Sequence, residues 1–237
     1  MDLCAALVEA GFQVTVVASD RGYDNPTQRY LREEVWQGVR IARVSNLGLG
    51  KAARWRRAAD FASFMAACAA RVASLGHFDL VIALTSPPLI SYLASLCVPF
   101  KADALVFWAM DLNPDEAIAA GWLREGSLTA RLLSSLQLSS MRKARRIVAL
   151  DRFMKQRLLA TGLVEEKIAV IPPWSHDHWV RWDPNGRDAF RLRHNHENKI
   201  VVMNSGNHSP CHPLETLVRA ARHHEDSREI VFCFVGG

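Results

Sequence analysis

Two stretches, "FDLVIAL" (78–84) and "DALVFWAM" (103–110), run apolar almost without interruption, and each ends in a polar loop containing proline. A strand with one wet face alternates apolar and polar residues. A strand with no alternation is covered on both faces, as in a parallel sheet wrapped by helices. Other segments repeat the pattern. "FQVTVVAS" (12–19), "VRIARV" (39–44), "RIVAL" (146–150) and "KIAVIPPW" (167–174) read as further strands. Between them lie helical segments over 2–10, 51–75, 85–96, 127–144 and 151–162. Gly11 closes the first helix in the position where glycine supplies a left-handed cap. On the long second helix Phe61, Phe64, Met65 and Cys68 form the apolar side. Ser86 is expected to cap the third helix, with both following prolines in its first turn. Asp151 is expected to cap the fifth.

Strands alternating with helices predict a doubly wound parallel α/β sheet. Ligands of such sheets bind in the crevice beyond the carboxyl ends of the strands. The loops at Asp20, Thr85–Pro88, Asp111–Glu116 and Asp151 are therefore expected to share one rim. Thr85 and Ser86 also read as helix-start residues, Asp111 as a turn residue before Pro114, and Asp151 as a plain cap.

The pattern breaks over residues 175–198, a polar stretch rich in His and Arg that reads as a linker with one short helix. A β-α-β unit then restarts with "KIVVMNSGN" and "REIVFCFVGG". About 40 residues cannot bury both faces of a sheet alone. Together with an opening helix that has no strand before it, this makes the chain read as cut at both ends.

Within "VVMNSGNHSPCHPLET" (201–216) a strand runs through Ser205, Gly206 and Asn207 toward a helix expected from Pro213. His212 would be its N-cap, with Glu215 at the third position. A glycine turn from a parallel strand into a helix N-terminus exposes backbone N–H groups, which suits a phosphate; His208 and His212 would add donors. The alternatives are a plain cap and a zinc site of His208, Cys211 and His212. Adjacent Cys-His at a helix start is not a standard zinc spacing, so no metal is expected.

The net charge of +5 is uneven: "KAARWRR" (51–57) and "RKARR" (142–146) hold eight of the 29 basic residues. Each reads either as a solvated helix face or as an anion-attracting patch. Trp55 with Arg54, Arg56 and Arg57 would suit a membrane surface. No nucleic-acid module accompanies these clusters, so no nucleic-acid partner is expected. The five cysteines are scattered and odd in number, which favours reduced thiols in a cytoplasm over a disulfide framework. No apolar run reaches the length of a membrane span.

Eight segments in order carry a family resemblance: "LVEAGFQVTVVAS", "GVRIARV", "FDLVIALTSPPL", "VFWAMDLNPDEAIAAG", "RIVALDRFMKQRL", "KIAVIPPWSHD", "VVMNSGNHSPCHPLETLVRAA" and "FVGG". The chain resembles family 4 glycosyltransferases of the GT-B fold, most of all bacterial sugar transferases of exopolysaccharide and O-antigen assembly. The resemblance implies two Rossmann-like doubly wound domains, the second incomplete here. Residues 1–174, without their first strand, would form the acceptor side, 175–198 the linker, and 199–237 the start of the nucleotide-sugar-binding domain.

The implied reaction transfers a sugar, with retention of configuration and without a cofactor or metal, from a nucleotide sugar to a lipid-linked or saccharide acceptor. The implied setting is the cytoplasm, with peripheral contact to the inner face of the membrane as an option. By the same resemblance Asp111 and Glu116 would be catalytic-side residues. Gly206, Asn207, His208, His212, Gly236 and Gly237 would bind the donor diphosphate, and Thr85, Ser86 and Asp151 would stand on the acceptor-side rim. The chain departs from the family where many relatives carry a histidine, at Met110, and where they carry a basic pair, at Asn207 and His212. A nucleotide-sugar epimerase of the same fold and a non-catalytic remnant are the rival readings.

Overall fold

The computed structural model describes residues 1–22, 25, 27–49, 54–174, 181–206, 208 and 213–236. In chain order the elements are α1 (Asp2–Glu9), β1 (Thr15–Ser19), β2 (Glu33–Trp36), β3 (Val39–Val44), α2 (Arg54–Ser74), β4 (Phe78–Ala83), α3 (Ile90–Lys101) and β5 (Ala102–Trp108). There follow α4 (Asp115–Ala119), α5 (Leu128–Lys143), β6 (Arg146–Ala149), α6 (Arg152–Ala160), β7 (Ile168–Val170), α7 (Pro184–Arg193), β8 (Ile200–Ser205), α8 (Glu215–His223) and β9 (Ile230–Val235). The chain divides into two compact units. One comprises Met1–Asp111 and Leu133–Ile171, the other Leu112–Leu132 and Pro172–Gly237.

In the first unit β4, β5, β6 and β7 pair side by side, all parallel. Of the two runs that lack alternation, β4 is not covered on both faces: Leu80, Ile82 and Leu84 are exposed at 46%, 38% and 47%. The inner strand β5 has Leu105 and Phe107 fully buried against Ile147 of β6. Burying side chains of this size contributes about 1.5–3 kcal/mol each. A second sheet has the order β1–β3–β2 and is mixed rather than wholly parallel: β1 runs parallel to β3, and β2 antiparallel.

The antiparallel strand β2 is an addition to the pattern expected from the sequence. It is joined to β3 by the two-residue turn Gln37–Gly38, with φ of 47° and 77° at the two positions. Positive φ at both positions is the turn that matches strand twist in a hairpin. A Cβ at Gly38 would also lie 2.7 Å from Cγ1 of Val8, so α1 packs directly over this turn. The acids of β2 are clamped by arginines: Glu34 by Arg43 at 2.6 Å, and Glu33 by Arg71 of α2.

Two further expectations are corrected and one holds. Ser86 does not cap α3, which begins at Ile90 with Leu89 in the capping position at φ 69°. Proline disfavours helical geometry in the residue before it, so two successive prolines carry the start beyond Pro88. The N–H of Ile90 closes that turn on the carbonyl of Pro87 at 3.1 Å. Phe61 of α2 is 41% exposed, whereas Cys68, two turns on, is 4% exposed. The apolar stripe is real, but burial deepens only toward Cys68. Asp151 does cap α6, accepting from the Met154 N–H at 2.7 Å.

In the second unit β8 and β9 pair in parallel from Ile200↔Ile230 to Ser205↔Val235. The crossover helix α8 starts at Glu215 with Leu214 in the capping position. His212 is therefore not its N-cap, and Glu215 is the first helical residue rather than the third. His212 itself lies outside the described residues.

Burial pushes the Cys68 thiol up from 9.0 to about 11. The folded state thus favours the neutral thiol. Its contribution is whole below pH 9 and is lost as pH rises toward 11, by up to roughly 1.4 kcal/mol per pH unit. Chemical unfolding across this range should show that loss, and Cys68→Ala should flatten it. An equal slope in both proteins would exclude Cys68 as its source.

Candidate functional site

Asp20, Thr85, Asp111 and Asp151 each follow the carboxyl end of a strand in the first unit: β1, β4, β5 and β6. These are the ends at which open parallel sheets bind ligands. Thr85 is 5% exposed, and its Oγ1 accepts a hydrogen bond from the Asp111 N–H at 3.2 Å. That bond ties the loop after β4 to the loop after β5 and fixes the backbone from which the exposed Asp111 carboxylate projects. The hydroxyl is spent on the neighbouring loop rather than on a helix cap. Ser86, next to it, is exposed. The Asp151 carboxylate is occupied by the start of α6.

Asp20 is the most buried acid of this rim, at 6% exposure. Its Oδ2 accepts from Arg29 at 2.8 Å and from the Ser45 hydroxyl at 2.5 Å, while Oδ1 is buried without a partner among the described residues. Its backbone is fixed as well: the N–H donates to Val44 and the carbonyl accepts from Tyr30. Sequence reading placed Asp20 on the rim but gave it no role. The available signal was an acid directly after a β-branched strand.

Glu116 belongs to the second unit, in the first turn of α4, where its N–H donates to the Leu112 carbonyl at 3.0 Å. Two acids, Asp115 and Glu116, open this helix, where negative charge is favoured by the backbone dipole.

The second unit also brings together Gly206, His208 and Gly236 at the carboxyl ends of β8 and β9. The Gly206 N–H donates to the Val235 carbonyl at 2.9 Å. Gly206 and Gly236 take φ of 155° and 156°. A Cβ on Gly236 would collide with the Gly206 carbonyl oxygen and would lie 3.3 Å from Nε2 of His208. Only glycine permits this closeness, and a bare backbone edge with an imidazole beside it can meet an anion. Asn207, His212, Gly237 and the cysteine of the zinc alternative, Cys211, lie outside the described residues. Among the described residues no group of three or more metal-ligating side chains occurs.

A model of the family described as "Glycosyl transferase 4-like domain" matches residues 1–174. The chain belongs to this family. No curated protein sequence matches it. Among solved structures it is similar to sucrose-phosphate synthase from Thermosynechococcus elongatus, at 13% identity and TM-score 0.60. The match covers 99% of this chain and 63% of that one. It is also similar to Alr3699/HepE from Anabaena, solved in complex with UDP and glucose, at 14% identity and TM-score 0.51. That match covers 85% of this chain and 57% of the other. The chain thus spans under two thirds of the length of either structure. At this identity the likeness speaks for the fold, which is the α/β arrangement of GT-B glycosyltransferases.

Two substitutions test the packing of the site. Gly236→Ala should lower stability by more than about 1 kcal/mol, because the added methyl meets backbone rather than a flexible side chain. Thr85→Val keeps the shape and removes the acceptor, so it should cost about 1 kcal/mol and speed exchange of the Asp111 amide. Thermal melts and amide exchange check both; an unchanged Asp111 amide would mean that the Thr85 bond does not hold the loop.

Proposed function

We propose that the protein is a retaining glycosyltransferase that moves a sugar from a nucleotide-sugar donor to a lipid-linked or saccharide acceptor in cell-surface polysaccharide assembly. The observation that carries this reading is the family match over residues 1–174, in a unit whose strand ends present Asp20 and the Thr85–Asp111 pair. Residues 1–174 act as the acceptor side and the segment from 199 as the start of the donor side. Support for a uridine nucleotide comes from HepE, which was solved with UDP and glucose.

In the reaction the bond from the anomeric carbon to the diphosphate oxygen breaks, and a bond to the acceptor hydroxyl oxygen forms on the same face. The hydroxyl proton leaves with the departing diphosphate. Asp111 orients and polarises the acceptor hydroxyl from a loop that the Thr85 bond holds in place, and Glu116 supplies a second carboxylate. The backbone at Gly206 and Gly236, with His208, offsets the charge of the leaving diphosphate; fixed donors of this kind contribute most where charge develops. No metal or cofactor enters the scheme.

A lipid-linked acceptor would bring the enzyme to a membrane. Trp55 of α2 is 64% exposed, with the Arg56 guanidinium 5.5 Å from its ring centroid. An aromatic flanked by cations suits an anionic headgroup layer. Among the described residues no helix is long and apolar enough to cross a membrane.

The test is product analysis of the full-length gene product with a panel of UDP- and GDP-sugars, with and without lipid-linked and saccharide acceptors. Transfer should require an acceptor, the product should keep the donor's anomeric configuration, and Asp111→Asn should lower kcat at least about 100-fold. An isomerised nucleotide sugar formed without acceptor would replace this reading by an epimerase.

A further inference from the structure

After β1 the chain doubles back on itself. The Gly22 N–H donates to the Gln28 carbonyl at 3.0 Å, and the Tyr30 N–H to the Asp20 carbonyl at 2.9 Å. Between these two bonds lies an antiparallel bridge that sets Arg21 opposite Arg29. A pair flanked in this way exchanges no bonds of its own, so its Cα atoms stand about 4.5 Å apart with both side chains on one face. Like charges directly opposite each other are destabilising. Two guanidiniums thus leave the backbone side by side just beyond β1, and a negative group between them would offset their repulsion.

Both arginines are held. Arg29 pairs through Nη1 with the Asp20 carboxylate at 2.8 Å, the arginine half-exposed and the aspartate buried. Among the described residues Arg29 has no other partner, so Nε and Nη2 are left open. Arg21 reaches the loop after β3, where its Nη2 donates to the carbonyls of Asn46 at 3.5 Å and Leu47 at 3.3 Å. A Cβ at Gly48, whose φ is 68°, would collide with this guanidinium.

The same loop is pinned by α2. The Leu47 N–H donates to the Ser63 hydroxyl at 3.1 Å, and the Leu49 N–H to the Asp60 carboxylate at 2.8 Å. Its backbone is fixed, yet Leu47 and Leu49 are 60% and 38% exposed. Two apolar side chains are therefore held out rigidly beside a cation that is itself clamped to their loop.

We propose that Arg21 and Arg29 bind the phosphoryl group of a lipid phosphate, and that Leu47 and Leu49 carry the first part of its apolar chain. Guanidiniums match a phosphoryl group because the planar fork donates to two oxygens at once. The leucines select the rest of the ligand. Inorganic phosphate or a sugar phosphate would leave them in water, whereas an alkyl chain joined to the phosphate covers them. All four residues belong to the first unit and lie beyond the carboxyl ends of β1 and β3, the side on which such sheets take ligands. The proposal rests on the transferase reading and narrows its acceptor to the lipid-linked class.

The experiment titrates the full chain with octyl phosphate below its micelle concentration and follows backbone amide shifts, with inorganic phosphate and octanol as separate arms. It uses neither donor sugar nor turnover, so its failure removes this site and leaves the transferase reading to product analysis. Octyl phosphate should shift the amides of Arg21, Arg29, Leu47 and Leu49 and bind at least about tenfold tighter than either separate arm. Arg29→Gln and Leu47→Ser should each weaken it by about tenfold, and the second removes only an exposed side chain. Inorganic phosphate that binds as tightly as octyl phosphate would overturn the proposal in favour of a free-anion site. Shifts confined to other exposed apolar residues, or unchanged affinity in Leu47→Ser, would overturn it too. So would sedimentation with phosphatidylglycerol vesicles that both substitutions abolish, because a bilayer would then be the occupant.

Discussion

The first unit depends on one constraint: β5 must be covered on every side. Its residues Leu105 and Phe107 have no wet face: β4 and β6 flank the strand and α3 packs on it. Among β4–β7 the strands are parallel, so every return passes through a helix and every loop that leaves a strand leaves at the same end. The polar residues at those ends are gathered by the sheet itself, not by any affinity among them. The Thr85–Asp111 bond then converts a shared edge into a fixed geometry.

β5 was legible in the sequence because burial erases alternation. The same signal in β4 goes with exposed Leu80, Ile82 and Leu84, so an unbroken apolar run marks a strand without fixing its cover. β3 runs over the very residues, Val39–Val44, that its pattern picks out, and Asp151 caps α6 as its position before the helix suggests. What escaped was local. β2 is four residues with two acids, and only the Gln37–Gly38 turn and its arginine partners make it a strand. Ser86 looked like a cap because it precedes a helical pattern, but its hydroxyl lost to the geometry that Pro87 and Pro88 impose. The Phe61 stripe had the right period, yet periodicity says which side of a helix is apolar and not how far along that side the neighbours reach.

The candidate site divides along the same line. Glycines at strand ends, such as Gly206 and Gly236, are readable from sequence because glycine there signals a conformation no other residue adopts easily. Their mutual contact is not readable: it depends on β8 and β9 ending in register, from Ser205 opposite Val235. Thr85 carried a signal for a cap and delivered a tie between loops. The sequence holds the hydroxyl, but the strand order β4–β5 chooses its partner.

Asp20 shows how far this logic extends. A carboxylate with one oxygen held by Arg29 and Ser45 and the other buried without a partner among the described residues is costly, since a desolvated acceptor forfeits about 1–3 kcal/mol. A serine at the same strand end would carry less charge but would lose the ion pair that holds Arg29. Asp20 therefore ties the end of β1 to Arg29 on one side and to Ser45, after β3, on the other.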